Sequence, residues 1–163
     1  MFRAVDKGRT MQLDAFDRKI LALLQQDSRM PQRDIGEAVH LSASAVNRRI
    51  AAMETAGVIT AYQAIVDPAK IGRPITIIVE VTVESERLDL LDAVKRRMLA
   101  RPEVQQLYYV TGEADLIIIM SVADMAEYQQ LTRQLFFAEG NIKSFRTMVA
   151  LERSKVSLAV DVG

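Results

Sequence analysis

Apolar positions between residues 14 and 56 recur every three or four residues, in three runs separated by short breaks. This spacing predicts three amphipathic helices. The first follows Asp14, a good N-cap, and ends near Gln26. The second begins at Pro31, because a proline at a helix start loses no hydrogen bond, and the third follows Ser42, another N-cap. Their apolar positions are Phe16, Ile20, Leu23 and Leu24, then Ile35, Ala38 and Val39, then Val46, Ile50 and Met53.

The second and third helices have the spacing of a helix-turn-helix, in which one helix enters the major groove of DNA and its partner holds it at a fixed angle. Gly36 lies where the two helices would come closest, and we expect it to permit that approach; the alternative is a poor helix former on a surface turn. His40 occupies the turn, where glycine is usual because the backbone adopts a positive φ. This lone histidine could bind a ligand or respond to pH, but a structural role is favoured since its neighbours are neither acidic nor metal-binding.

The outward side of the third helix is small, polar and cationic, as entry into a DNA groove requires. Alanine and serine permit close approach, asparagine can pair with adenine, and arginine can bind guanine or phosphate. The alternative is a solvated helix face with two ordinary arginines, but the matched helix before it favours DNA contact. The predicted DNA-binding residues are Ser42, Ala43, Ser44, Asn47, Arg48 and, near the boundary with the apolar side, Arg49.

After residue 74 the apolar pattern alternates between period two and period three to four. Strands are predicted over 74–83, 104–111, 116–122 and about 143–152, with helices over 87–100 and after Asp124, which suits an N-cap. The order β-α-β-β-α-β is the ferredoxin-like arrangement, which leaves one face of its sheet uncovered. A second copy would cover that face economically, so a homodimer is predicted.

The segment between the two patterns sets the domain boundaries. Gly57 ends the third helix as a C-cap, and residues 58–68 predict a strand that forms a wing or an arm. Asp67-Pro68 and Gly72-Arg73-Pro74 mark a break. The predicted fold is α+β, with an N-terminal tail over 1–11, a winged helix-turn-helix domain over 12–60, a hinge strand and linker over 61–73, and a ferredoxin-like domain over 74–163.

Composition narrows the classes of function. The 163 residues include no cysteine and one histidine, so we predict no catalytic residue, no metal site and no cofactor. No apolar run reaches the roughly 18 residues that span a bilayer, and the N-terminus lacks the apolar stretch of a signal peptide. A cytoplasmic protein without membrane contact is therefore expected.

Net charge bears on the predicted function only when the two halves of the chain are counted separately. The whole chain has a formal net charge of zero. By itself this argues against nucleic acid as a partner, because proteins that bind phosphate groups normally carry an excess of basic residues. Residues 1–73, however, carry 11 Lys and Arg against 8 Asp and Glu, while residues 74–163 carry 10 against 13. This small asymmetry agrees with a DNA-binding front half and contributes little weight of its own.

The order of helix-turn-helix, hinge strand and β-α-β-β-α-β domain resembles the leucine-responsive regulatory protein and asparagine synthase C regulator (Lrp/AsnC) family. The segments that carry the resemblance are LDAFDRKILALLQQDSRM, LSASAVNRRIAAMETAGVITAYQAIVDPAKIG, RPITIIVEV and YYVTGEADLIIIM. The resemblance implies a sequence-specific transcriptional regulator of double-stranded DNA. Its back domain, called RAM, would join dimers, often build octamers, and bind an amino acid or related small effector at contacts between dimers. The effector loop would comprise Thr111, Gly112, Glu113, Ala114 and Asp115.

The chemistry of this loop suits an amino acid, because backbone N–H groups of a glycine turn can hold a carboxylate while Glu113 or Asp115 attracts an ammonium. The alternative is an ordinary tight hairpin with solvated carboxylates. Glu113-Ala114 also departs from the family's more common aromatic residue next to the aspartate, which leaves the effector's identity open.

Two other functions stay open at this point. One is an architectural DNA-coating protein without an effector. The other is an enzyme on the same scaffold, such as the similar proteins that decarboxylate sirohaem, because fold does not fix function. The predicted RAM domain contains no histidine, which disfavours the enzyme.

Overall fold

The computed structural model describes residues 11–137 and 140–163, and the chain separates into two units, each with its own apolar core. Unit 1 comprises Met1–Ala64 and Val156–Gly163, and unit 2 comprises Ile65–Lys155. Residues 1–10 of the predicted N-terminal tail lie outside the described residues. The described part contains no helix with the length and apolar character needed to cross a bilayer.

Unit 1 contains the three predicted helices: α1 (Ala15–Gln26), α2 (Gln32–Val39) and α3 (Ala43–Thr55). Both predicted serine and aspartate caps are formed, since the Asp14 side chain accepts from the Asp17 N–H and the Ser42 side chain accepts from the Ala45 N–H. Ala38, predicted for the inner edge of α2, is exposed. The core of the unit consists of Ile20, Leu21, Ile35, Val39, Val46, Ile50 and Met53.

The turn between α2 and α3 confirms the interpretation of Gly36 as a close-approach residue. Gly36 is buried, and a Cβ built on it would lie 2.5 Å from the backbone oxygen of Leu41. His40 adopts the left-handed conformation, with φ 59° and ψ 44°, and its N–H donates to the Gly36 oxygen. The histidine therefore occupies the position that a glycine normally fills, and the turn keeps its geometry.

Two predicted boundaries need correction. The hinge strand is wrong for the single chain: residues 61–67 have no regular secondary structure, and Pro68–Ile71 form a short 3₁₀ helix. A strand needs a hydrogen-bonded neighbour, and no other described segment pairs with this one. The C-terminal segment Val156–Gly163 groups with unit 1, although we predicted it to be part of the back domain.

Unit 2 has the predicted order of elements. They are β1 (Ile75–Val83), α4 (Leu88–Leu99), β2 (Val104–Tyr109), β3 (Leu116–Val122), α5 (Met125–Leu135) and β4 (Ile142–Val149). The sheet order is β2-β3-β1-β4, and every neighbouring pair is antiparallel. β2 ends two residues earlier than predicted, because the Val110 N–H already bonds to the Asp115 oxygen across the turn.

The alternation of β1 separates the two faces of the sheet. Ile77, Val79 and Val81 are fully buried in a core that includes Leu91 of α4 and Leu131 of α5. The opposite face carries β1 and β3 residues that are only half-buried, namely Thr76, Ile78, Glu80, Thr82, Ile117 and Ile119. Both helices thus cover one face, as expected for this arrangement.

The contact at Gly36 predicts the sign of a substitution. In an exposed helix, glycine to alanine stabilises by about 1 kcal/mol. Gly36→Ala should instead destabilise the protein by about 1–3 kcal/mol, because the new methyl meets backbone that cannot rotate away. Chemical denaturation measures the change, with the exposed neighbour Glu37→Ala as the control. A gain in stability for Gly36→Ala would contradict the observed approach.

Candidate functional site

The start of α3 presents five of the six predicted DNA-binding residues on an exposed surface. These are Ser42, Ala43, Ser44, Asn47 and Arg48. The hydroxyls of Ser42 and Ser44 lie 3.0 Å apart, and Ser42 also caps the helix. Small side chains followed by an amide and a guanidinium form a surface that can approach a polyanion closely and offer it hydrogen-bond donors.

Asn47 is oriented by a residue that sequence reasoning missed. The Gln32 Nε2 donates to Asn47 Oδ1 at 3.0 Å, linking the first residue of α2 to the exposed face of α3. This bond occupies Asn47 Oδ1, and the NH₂ group of Asn47 makes no hydrogen bond within the part of the chain that the structure describes. The two residues are 15 positions apart, and only the packing of α2 on α3 brings them together.

The adjacent arginines differ in their surroundings. Arg48 is exposed and has no hydrogen-bond or ion-pair partner among residues 11–137 and 140–163. Arg49 Nη1 lies 2.7 Å from Asp17 Oδ1 and 2.8 Å from Asp14 Oδ2, and its guanidinium lies 5.5 Å from the Phe16 ring centroid. Of the two arginines in the predicted DNA-binding set, Arg48 is therefore exposed to solvent, whereas Arg49 is ion-paired within unit 1.

The carboxylates that hold Arg49 also cap α1. Asp17 N–H donates to Asp14 Oδ1 at 2.9 Å, and Asp14 N–H donates to Asp17 Oδ2 at 3.1 Å. The hydrogen bond from the Asp17 backbone lowers the pKa of Asp14 below its usual value, and Arg49 adds to this lowering. The bonds to Asp17 and then Asp14 raise the pKa of Arg49. Both groups therefore keep their charges at neutral pH.

Segments of unit 1 outside the helices also pack on α1 and α3. The Tyr62 hydroxyl donates to Glu54 Oε1 at 2.9 Å, and burial together with this bond raises the pKa of Tyr62 to about 12. Near the C-terminus, Gln25 exchanges two hydrogen bonds with the Val160 backbone, at 2.8 and 3.0 Å. The Arg18 guanidinium donates to the Val162 oxygen at 2.6 Å. The sequence contained no periodic signal for these contacts.

The predicted effector loop connects β2 to β3 in unit 2. Thr111, Gly112 and Glu113 are exposed, and Gly112 has a φ of 129°. Asp115 is engaged with β1: its Oδ2 accepts from the Val83 N–H at 2.7 Å, and its own N–H donates to the Val81 oxygen at 2.9 Å. This carboxylate thus extends the β1–β3 ladder beyond its last strand pair.

A cavity of about 160 Å³ lies beside this loop on the half-buried sheet face. Glu113 and Ala114 line it, whereas Thr111, Gly112 and Asp115 do not. The remaining lining residues, missed from the sequence, are Glu80, Thr82, Ser144, Phe145 and Arg146. They come together because Glu80 of β1 pairs with Arg146 of β4 in the sheet register, with Arg146 Nε 2.8 Å from Glu80 Oε2.

Comparison with known families and proteins gives consistent results for both units. Residues 13–54 match the family model of the AsnC-type helix-turn-helix domain, and residues 76–160 match that of the Lrp/AsnC ligand binding domain. An uncharacterized HTH-type transcriptional regulator of Sinorhizobium fredii is 40% identical over 152 residues, which span 93% of this chain and 90% of that protein.

Solved structures agree with these matches. An AsnC family transcriptional regulator from Agrobacterium tumefaciens has a TM-score of 0.86 and 30% identity, covering 91% of this chain and 96% of that one. A transcriptional regulator from Neisseria meningitidis, solved as a complex with L-Met, has a TM-score of 0.85 and 23% identity, with the same two coverages. At that identity the second likeness concerns the fold alone.

The position of Asp115 predicts an effect on stability. Asp115→Ala removes the acceptor of the Val83 N–H, and an unpaired backbone donor in this half-buried place should cost about 1–3 kcal/mol. The exposed neighbour Glu113→Ala should change stability by less than about 0.5 kcal/mol. Denaturant unfolding of both variants tests this. Equal effects of the two substitutions would show that the Asp115 bond contributes nothing.

Proposed function

The chain belongs to the Lrp/AsnC family of DNA-binding transcriptional regulators, and from this premise we propose that it binds specific sites on double-stranded DNA through the exposed start of α3 and responds to an amino acid bound beside the 111–115 loop. The family resemblance recognised in the sequence is thereby confirmed, and the relatives that it matches are transcription regulators rather than enzymes. The observation that carries the proposal is the exposed pair Asn47 and Arg48 on a capped helix.

In the proposed DNA contact, the residues at the start of α3 have different roles. Ala43 and Ser44 permit the helix to approach the groove, since neither side chain extends far from the backbone. Asn47, with its acceptor already bonded to Gln32, offers its NH₂ group to a base or phosphate acceptor. Arg48 supplies a cation for phosphate or guanine. Double-stranded DNA is the partner that matches this arrangement.

The proposed effector site is the cavity next to the loop. An amino acid carries one carboxylate and one ammonium, and the cavity offers the Arg146 guanidinium and the carboxylates of Glu113 and Glu80. Its volume of about 160 Å³ lies below the range of about 300–1,000 Å³ typical of pockets for drug-sized ligands, which favours a small metabolite. The L-Met complex of the Neisseria regulator supports an amino acid as the class of ligand.

A homodimer, with octamers as a larger assembly, would connect the two sites. Ile78, Ile117 and Ile119 lie on the sheet face that α4 and α5 leave uncovered, and a second copy could bury them. Because the cavity opens on this same face, an amino acid bound there would favour one assembly over another. By linkage, that preference changes DNA affinity, with coupling free energies of about 1–3 kcal/mol being typical.

Arg48→Ala tests the DNA surface. If Arg48 contacts phosphate, the slope of log affinity against log salt should fall by about 0.9 on every duplex. If it contacts a base, affinity for the specific site alone should fall by about 1–3 kcal/mol. Fluorescence anisotropy at several salt concentrations separates the two results. Arg133→Ala, which removes the same charge from an exposed position on α5, is the control, and unchanged binding by Arg48→Ala would remove α3 from the interface.

Glu113→Gln tests the effector site without altering the shape of the side chain. The parent's DNA affinity or assembly state should shift when a mixture of the common amino acids is added, and Glu113→Gln should weaken that shift at least tenfold in amino acid concentration, since an ammonium partner is lost. Glu86→Gln, another exposed carboxylate of unit 2, is the control. An undiminished response would exclude Glu113, and a parent without any response would favour an architectural protein.

A further inference from the structure

We propose that Asp14 and Asp17 are positioning residues for DNA recognition: they hold Arg49 of α3 inside unit 1, so that Arg49 sets the orientation of the helix while Arg48 alone of the pair contacts DNA. This inference rests on the proposed DNA contact of α3. The two neighbouring arginines thus have different roles, whereas both were predicted from sequence to bind DNA.

The cluster of Asp14, Asp17 and Arg49 is fully hydrogen-bonded. Each aspartate accepts the other's backbone N–H with one oxygen, Asp14 with Oδ1 and Asp17 with Oδ2. The two remaining oxygens, Asp14 Oδ2 and Asp17 Oδ1, both bond to Arg49 Nη1. The capping box of α1 therefore orients the two carboxylates, and all four oxygens are used within unit 1.

The ion pair of Arg49 and Asp17 is partly shielded from solvent. The Asp17 side chain is 4% exposed and that of Arg49 is 28% exposed, although both are charged residues near the surface of a small unit. A nearly buried carboxylate loses its hydration and depends on its partner, so withdrawal of Arg49 toward DNA would leave Asp17 uncompensated. Phe16 packs beside the guanidinium at 5.5 Å and shields the same group. Arg49 is thereby held away from a phosphate contact.

The geometry of α3 directs Arg48 and Arg49 to different surroundings. Successive residues of an α-helix point about 100° apart, so with Arg49 directed at α1 its neighbour Arg48 points outward. The core contacts of Val46 and Ile50 are apolar and carry no preferred direction of their own. The two short charge-assisted hydrogen bonds of Arg49 are directional, so they add a constraint on the rotation of α3 about its axis. The cluster therefore fixes the rotation that presents Asn47 and Arg48 to the groove.

The test uses the full chain and five variants: Arg49→Gln, Arg49→Lys, Asp17→Asn, the double variant Asp17→Asn with Arg49→Gln, and Arg48→Gln as the matched neighbour. Anisotropy titrations give the affinity for the DNA upstream of the chain's own gene and for a scrambled duplex, each over a range of salt. Thermal unfolding and size-exclusion chromatography identify conditions in which every variant is folded and has the parent's assembly state.

A positioning role predicts that Arg49→Gln lowers the ratio of specific to scrambled affinity by about tenfold, the value of roughly one base contact, and leaves the salt slope unchanged. Asp17→Asn should give a similar loss, and the double variant should be no worse than either single one, because both remove the same bond. Arg49→Lys, which keeps the charge, should restore part of the ratio. Arg48→Gln should reduce the salt slope by about 0.9 or lower specific affinity alone.

Three results would overturn the inference. A fall of about 0.9 in the salt slope for Arg49→Gln would make Arg49 a phosphate contact. Unchanged ratios in Arg49→Gln and Asp17→Asn, with only a lower unfolding temperature, would make the cluster merely structural. If the buried substitutions do not fold, Asp14→Asn removes the more exposed half of the cluster, and an unchanged ratio there would also overturn it. Equal binding of the parent to both duplexes would instead overturn the proposed function itself.

Discussion

The orientation of α3 depends on the ion pair between Arg49 and Asp17. The apolar core of unit 1 excludes water and holds the three helices together, but hydrophobic contact is not directional. The pair is directional, and it joins α3 to the capped start of α1 through a carboxylate that is almost fully buried. At the other side of the motif, Gly36 of α2 allows the backbone oxygen of Leu41, in the α2–α3 turn, to approach α2 more closely than any side chain at position 36 would permit. Together these contacts leave the start of α3 exposed at a defined angle.

In unit 2 the equivalent constraint is the register of an antiparallel sheet. Alternation places Ile77, Val79 and Val81 of β1 against α4 and α5, and it places the polar residues of β1, together with Ile78, on the opposite face. The register then sets Glu80 opposite Arg146, while Asp115 ties the loop before β3 to the end of β1. A polar cavity forms where loop and sheet meet, on the face available to a second copy. The proposed ligand and the proposed second copy would be coupled because both would use this face.

The sequence predicted the elements and their order well, because caps and hydrophobic periodicity are local signals: Asp14 and Ser42 begin helices where expected. It placed Arg49 near the boundary of the exposed side but gave it the same role as Arg48, since the partner that distinguishes them lies 32 residues away and is chosen by packing. Arg146 was missed for a related reason, as its neighbours come from the strand register. The hinge strand was wrong because extended sequence becomes a strand only where a partner pairs with it. Periodicity can be recognised within one segment of the chain, whereas contacts between distant segments cannot be predicted from either segment alone.

We propose that α3, held in this orientation, reads DNA. The most direct measurement is fluorescence anisotropy of the parent protein titrated onto the DNA upstream of its own gene and onto a scrambled duplex, at several salt concentrations. If α3 reads DNA, the parent binds the upstream DNA more tightly than the scrambled duplex, and its affinity falls as salt rises because counterions are released from the phosphates. Equal affinity for both duplexes, or binding that is insensitive to salt, would contradict it.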